Sequence, residues 1–240
     1  MFTTALVTGG NGNLGRLVAQ QLEDAGTKVI SFDLPGSEGA YSDLRHAVVS
    51  GDTRDQDLLQ KTVTTHKPDV VIHLASMLSV SSEANPGMAW EVNASSSIRF
   101  MRMCLEHQTG PFFFASTAAT YGPDLSSPVG LNTPQWPENI YGATKVAVER
   151  MGVYLKLKQG FDFRCLRFPM VLSPFAPAGA MTAYPSHAIA AAANGESFAF
   201  PVADHTGMST LYLNDVTRRV VEICTAERSA VSQHIYELQS

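Results

Sequence analysis

The chain has 240 residues, 45% of them hydrophobic, with 17 basic and 22 acidic side chains and a formal net charge of −5. That length and apolar content allow one sizeable core with at most a small annex, and the scattered basic residues exclude a nucleic-acid track or an anionic-membrane patch. The three cysteines, Cys104, Cys165 and Cys224, stand far apart at no metal-ligand spacing. Reduced thiols, no metal site and a cytoplasmic location are therefore expected, with no signal peptide and no membrane span.

Taken in chain order, short apolar runs alternate with helical patterns. A strand at residues 5–7 leads into a helix whose Leu14, Leu17, Val18, Leu22 and Ala25 share one face, closed by Gly26. Strands follow at 28–33 (KVISFD) and 46–50 (HAVVS), then a short helix near 55–65 and a strand at 69–75 (DVVIHLA). A long helix around 88–107, a strand at 111–116, a helix around 140–158 and a strand at 163–169 complete the series. Continuous apolar strands alternating with helices predict a doubly wound parallel α/β sheet, the Rossmann arrangement, over residues 1–170. Beyond it the pattern changes. A proline-rich irregular loop at 173–187, a helix at 186–194, a strand at 209–213, a helix at 214–224 and a last strand at 234–238 are predicted. Residues 171–240 are read as a small substrate-binding cap interleaved with the final elements of the sheet.

The stretch TGGNGNLG (8–15) lies between the first strand and the first helix. There, free helix N–H groups meet a pyrophosphate, and the backbone must be bare for the ligand to approach. Gly9 and Gly12 make the turn, Gly15 allows the helix to pack on the strand, and Asn13 and Leu14 join them as candidate cofactor contacts. Asp33 ends the second apolar run, placed to accept hydrogen bonds from the adenosine ribose. It would repel a 2′-phosphate, and Leu34-Pro35-Gly36 follow it without a cation, so NAD is expected over NADP. Asp52 ends the third run and has two readings, an adenine contact or a cap for the helix starting near Asp55.

Tyr141 and Lys145 (YGATK) share a helical face at i and i+4. A lysine ammonium beside a phenol favours the phenolate, which lets tyrosine act as a base. The pair follows a strand ending in ASTAATYG (115–122), which presents Ser116 and Thr117 at the carboxyl edge of the sheet.

In TGGNGNLG, HLAS (73–76), ASTAATYG, YGATK and RFPMVLSP (167–174) the chain resembles the extended short-chain dehydrogenases/reductases of the NAD-dependent epimerase/dehydratase type. The resemblance implies Tyr141 as catalytic acid/base, Lys145 as its partner and holder of the nicotinamide ribose, and Thr117 as the hydroxyl that orients the substrate oxygen, ahead of Ser116. It also implies that Leu74, Ala75 and Ser76 pass close to the cofactor and that Pro169 lies near the nicotinamide. Asn93 matches a recurring family asparagine and equally fits a buried structural hydrogen bond. His73 reads as a packed strand-end residue. Ala118 and Ala119 stand where dehydratases of the family carry an acidic pair. Residues 173–214 contain neither lysine nor arginine, whereas a nucleotide-sugar diphosphate calls for basic side chains.

The finer resemblance, in LASMLSV (74–80), NPGMAWEVN (85–93), TPQW (133–136) and MSTLYLND (208–215), is to short-chain-type L-threonine 3-dehydrogenases. It implies Ser79 and Thr182 as substrate contacts. Where that subgroup has Thr-Asp-Tyr, this chain has Thr182-Ala183-Tyr184. The expected function is NAD-dependent oxidation of the secondary alcohol of a small hydroxy or amino acid, with L-threonine to 2-amino-3-oxobutyrate foremost. A sugar-acid or other hydroxy-acid dehydrogenase, a nucleotide-sugar epimerase and a non-catalytic NAD-binding regulator are the alternatives. The family further implies a homodimer through a helix bundle. The sequence ends at HIYELQS (234–240), earlier than is usual there, which leaves a shortened cap or a short natural variant as expectations.

Overall fold

The computed structural model describes residues 2–37, 47–123, 125, 129–130, 132–176, 180 and 182–238. Its centre is a seven-stranded sheet in the order β3-β2-β1-β4-β5-β6-β9. The strands are β1 (Thr4–Thr8), β2 (Lys28–Asp33), β3 (Ala47–Ser50), β4 (Val70–His73), β5 (Phe112–Thr117), β6 (Phe163–Phe168) and β9 (Tyr236–Glu237). Every pairing is parallel. Alternate strand residues therefore feed opposite faces, and both are covered. Leu6, Ile30, Phe112, Phe114 and Phe163 pack beneath α2 (Gln56–His66), α5 (Ser97–Glu106) and α6 (Ile140–Gln159). Ala5, Val7, Val29, Ile72 and Phe113 pack beneath α1 (Gly15–Asp24) and α8 (Leu213–Thr225). These two helices are joined by Gln21 Nε2 donating to Thr217 Oγ1 at 2.9 Å. The doubly wound sheet expected from the sequence is present.

The chain winds outward from β1 in one direction through β2 and β3, and in the other through β4, β5 and β6. The crevice at the carboxyl ends of β1 and β4 is the switch point where α/β sheets bind ligands. Beyond β6, β7 (Met170–Leu172) pairs in parallel with β8 (Thr210–Tyr212) as a separate two-stranded sheet, and α7 (Tyr184–Ala193) lies between them in sequence.

Several boundaries differ from expectation. The helix expected around 88–107 is composite: α4 (Pro86–Ala89), a π-helical stretch Trp90–Ser96, then α5. A short helix, α3 (Ser79–Ala84), precedes it where no element was predicted. α7 starts at Tyr184, two residues early, because Pro185 in its first turn suits a helix start. The final strand is only two residues long. The α2 N-cap is Asp55, whose carboxylate accepts from the Leu58 amide at 3.0 Å, so the capping role considered for Asp52 belongs to its neighbour.

Candidate active site

The turn between β1 and α1 is built on two close approaches. Gly9 has φ +69°, and a Cβ there would lie 2.8 Å from the Ala75 amide nitrogen on the neighbouring chain crossing. A Cβ on Gly15 would lie 2.1 Å from the Gly9 carbonyl oxygen. Only glycine fits at either position. Gly12 differs: its Cβ would meet the Gly9 oxygen alone, at 3.2 Å. The helix starts after Leu14, which supplies no side-chain cap, and its first turn carries no acidic residue. Its start lies at the crevice with no acidic side chain to satisfy the leading N–H groups, of which that of Arg16 donates to the Gly12 carbonyl at 3.1 Å.

This turn forms one end of a cavity of about 770 Å³. Gly9, Gly12, Asn13, Leu14, Gly15, Asp33, Asp52, Leu74, Ala75, Ser76, Ser79, Thr117, Tyr141, Pro169 and Thr182, all singled out from the sequence, line it. Asp33 Oδ2 accepts from the Asn11 amide at 2.9 Å and Oδ1 from the Leu34 amide at 2.8 Å, which fixes the carboxylate at the cavity edge. Asn13 Oδ1 accepts from Ser173 Oγ at 3.1 Å, tying the glycine turn to the segment after β7.

Two expected cofactor contacts do not line the cavity. Asn93 is buried in the π-helical stretch. Its Oδ1 accepts from the Met77 amide at 2.8 Å and Ser76 Oγ at 3.1 Å, and its Nδ2 donates to the Met77 carbonyl at 3.0 Å. It holds the loop after β4 from behind, which is the structural of its two readings. Lys145 is also behind the wall, with Nζ donating to the Ala115 carbonyl at 3.0 Å and standing 5.5 Å from the Tyr141 ring centroid.

Burial governs the electrostatics of this pair. Burial pushes the Tyr141 phenol up to about 12, against a smaller opposing effect of its hydrogen bond with Ser76. Burial also pushes Lys145 down to about 8, with Cys165 and Glu149 opposing. In both groups burial, the largest influence, disfavours the charged form. Thr117 Oγ1 accepts from the Ala119 amide at 3.1 Å, and the residue lines the cavity. Ser116, the neighbouring candidate, instead donates to Glu149.

Asp52 lines the cavity, but both of its oxygens accept from Arg54, whose guanidinium holds the carboxyl below its ordinary range. An adenine contact by Asp52 therefore requires Arg54 to share it. Arg54 itself, together with Met88 and Phe175, lines the cavity and was not anticipated. The GDTRD pattern, with an arginine two residues after the aspartate that ends the third apolar run, is the signal that could have found it. His73 is buried between Thr8 Oγ1 at 2.6 Å and Ser97 Oγ at 2.8 Å, and burial lowers its pKa to about 3. It is a neutral packed residue, as its position at the strand end implied.

With this geometry in hand, comparisons with known proteins are specific. The model of the NAD dependent epimerase/dehydratase family matches residues 5–238. The chain is 37% identical to the UDP-glucose 4-epimerase of Halalkalibacterium halodurans over 166 residues, which is 68% of this chain and 49% of that protein. It is 30% identical to the mitochondrial L-threonine 3-dehydrogenase of Bos taurus over 246 aligned positions, 98% of this chain and 64% of that one. The chain thus spans less than two thirds of either relative. The L-threonine dehydrogenase structure from Clostridium difficile superposes with a TM-score of 0.91 at 26% identity, covering 100% of this chain and 76% of that one.

Proposed function

This chain belongs to the NAD dependent epimerase/dehydratase family, whose cofactor is NAD, and from that premise we propose that it oxidises the secondary alcohol of a small substrate, L-threonine to 2-amino-3-oxobutyrate being the best-supported case. The observation that carries the proposal is the shared cavity: the glycine turn, Asp33, Thr117 and Tyr141 all line one space. Its volume of about 770 Å³ falls in the range of cofactor and small-molecule sites. The residues suit the cofactor, since the positions a Cβ would block are glycines and the helix start is uncapped. The carboxylate at the ribose end has no cation in the three residues after it. Gly9, Gly12 and the α1 N-terminus would hold the pyrophosphate, and Asp33 the adenosine ribose.

When bound, NAD supplies the hydride acceptor and, oxidised, a cationic ring that favours a phenolate nearby. Tyr141 takes the substrate hydroxyl proton on its Oη. Because burial holds that phenol near 12, oxidation gains as pH rises, and the resting phenol is poised to donate a proton in the reverse direction. Lys145 contributes positive charge behind the tyrosine, and Thr117 orients the substrate oxygen. Ser79 and Thr182 offer hydroxyls to the rest of the substrate. Exposed Tyr154 and Leu157 on α6 support a homodimer through a helix bundle.

A hydroxy-acid or sugar-acid substrate is the second reading, favoured by Ala183 in place of an aspartate that would suit a substrate ammonium. The identity with an epimerase favours nucleotide sugars, but the lack of lysine and arginine across residues 173–214 weighs against a diphosphate. The test follows NADH formation by absorbance, with NAD and a panel of L-threonine, L-serine, 3-hydroxybutyrate, uronates and erythronate. Turnover of L-threonine sustains the first reading, and turnover of non-amino acids alone moves it to the second. No turnover anywhere, with NAD still binding by calorimetry, overturns both for this chain in favour of a regulator or a shortened cap.

A further inference from the structure

Behind the cavity wall lies a charged cluster that the proposed reaction does not use. Glu149 is fully buried on α6, one turn beyond Lys145 and two beyond Tyr141 on the same face. Its carboxylate is completely occupied. Oε1 accepts from Ser116 Oγ at 2.5 Å and Arg167 Nε at 2.9 Å, and Oε2 accepts from Arg167 Nη2 at 2.8 Å and Gln135 Nε2 at 2.9 Å. Arg167, on β6, is the cross-strand partner of Ser116 on β5. Its Nη1 donates to the Tyr121 hydroxyl at 2.6 Å, in the turn after β5.

Each anchor of the cluster adjoins a residue of the cavity. Ser116 itself lines the cavity beside Thr117, Arg167 lies two residues before Pro169, and Glu149 continues the Tyr141–Lys145 face. A buried ion pair is a weak source of stability, because desolvation consumes most of the attraction and an apolar pair of similar volume often serves as well. A bidentate fork provides direction instead, fixing distance and angle between the elements it joins. We propose that Glu149 and Arg167 are positioning residues, holding the ends of β5 and β6 and the face of α6 in one register so that Thr117, Tyr141 and Pro169 converge. The catalytic consequence rests on the dehydrogenase reading above. The clamp itself rests on the hydrogen bonds.

The deciding variant is the double substitution Glu149→Gln/Arg167→Met, which removes both charges together. It is expected to fold with a near-normal melting midpoint and to bind NAD within about threefold of wild type, since neither residue lines the cavity. Its kcat, on whichever panel substrate the wild type accepts, is expected to fall by about tenfold or more with KM little changed. Backbone amide exchange at residues 115–121 is expected to accelerate. Glu149→Gln alone leaves Arg167 buried with only the longer pairing to Glu237 at 3.6 Å and is expected to be the less stable variant. A double variant with wild-type kcat, or with unchanged exchange at 115–121, overturns the proposal. One that fails to fold also overturns it, by assigning the pair to stability. If the wild type turns over nothing in the panel, the dehydrogenase reading fails while the exchange measurement still decides whether the clamp exists.

Discussion

Tyr141 and Lys145 are four residues apart in the sequence, and their spacing on one helix face was legible from that alone. Their charge states were not, because the desolvation that governs both comes from β5, β6 and the loop after β4 packed around them. The same limit applies to Asp52: a strand-end carboxylate was visible, but its capture by Arg54 depends on a side-chain path that spacing does not fix. The role of Tyr141 is open to a direct check. Tyr141→Phe removes the proton acceptor and keeps the ring, so turnover is expected to drop by about 10²- to 10⁴-fold. Calorimetry should find NAD affinity changed by less than about threefold, since the hydroxyl belongs to the reacting end. Near-normal turnover in this variant would remove the tyrosine from the mechanism.

The β1–α1 turn shows how one element separates folding from binding. Gly15 packs against backbone that cannot retreat, whereas Gly12 has only the Gly9 oxygen at 3.2 Å beside its absent Cβ. Gly15→Ala is expected to cost about 2–3 kcal/mol in urea unfolding, while Gly12→Ala should fold almost normally and lose NAD affinity by steric block. Equal stability losses in the two variants would contradict this division. The glycine spacing was readable because each position carries a distinct geometric demand. The stretch from Pro86 to Glu106 was less so: its hydrophobic pattern announced a helix but not the π-helical turn within it. That turn brings Asn93 inward, and a long-range contact with Ser76 and Met77 decides the role of its side chain.

At the scale of the whole molecule, the parallel sheet and its two covered faces followed from the alternation of apolar runs with helices. The buried charges within those runs did not. Arg164 and Arg167 occupy β6, read simply as an apolar strand, and their partners come from residues as distant as Glu149 and Cys224. Buried His73 makes the molecule acid-sensitive in a defined window. Its folded pKa, near 3, is depressed below the ordinary 6.5. Its contribution is therefore complete above 6.5 and lost as pH falls toward 3, at a limiting slope of about 1.4 kcal/mol per pH unit. Melting midpoints measured between about pH 6 and pH 4 should fall more steeply for wild type than for His73→Gln. An identical slope would assign the acid sensitivity elsewhere.

The bond from Gln21 to Thr217 spans 196 residues of chain. Contacts so distant carry a loop-closure entropy cost and form late. During synthesis the glycine turn leaves the ribosome well before α8, but the helix that begins at Gly15 gains its outer packing only when α8 has followed. Competence to bind the nucleotide is thus expected to arrive only once α8 has been made, so a nascent chain stalled before α8 should bind NAD poorly.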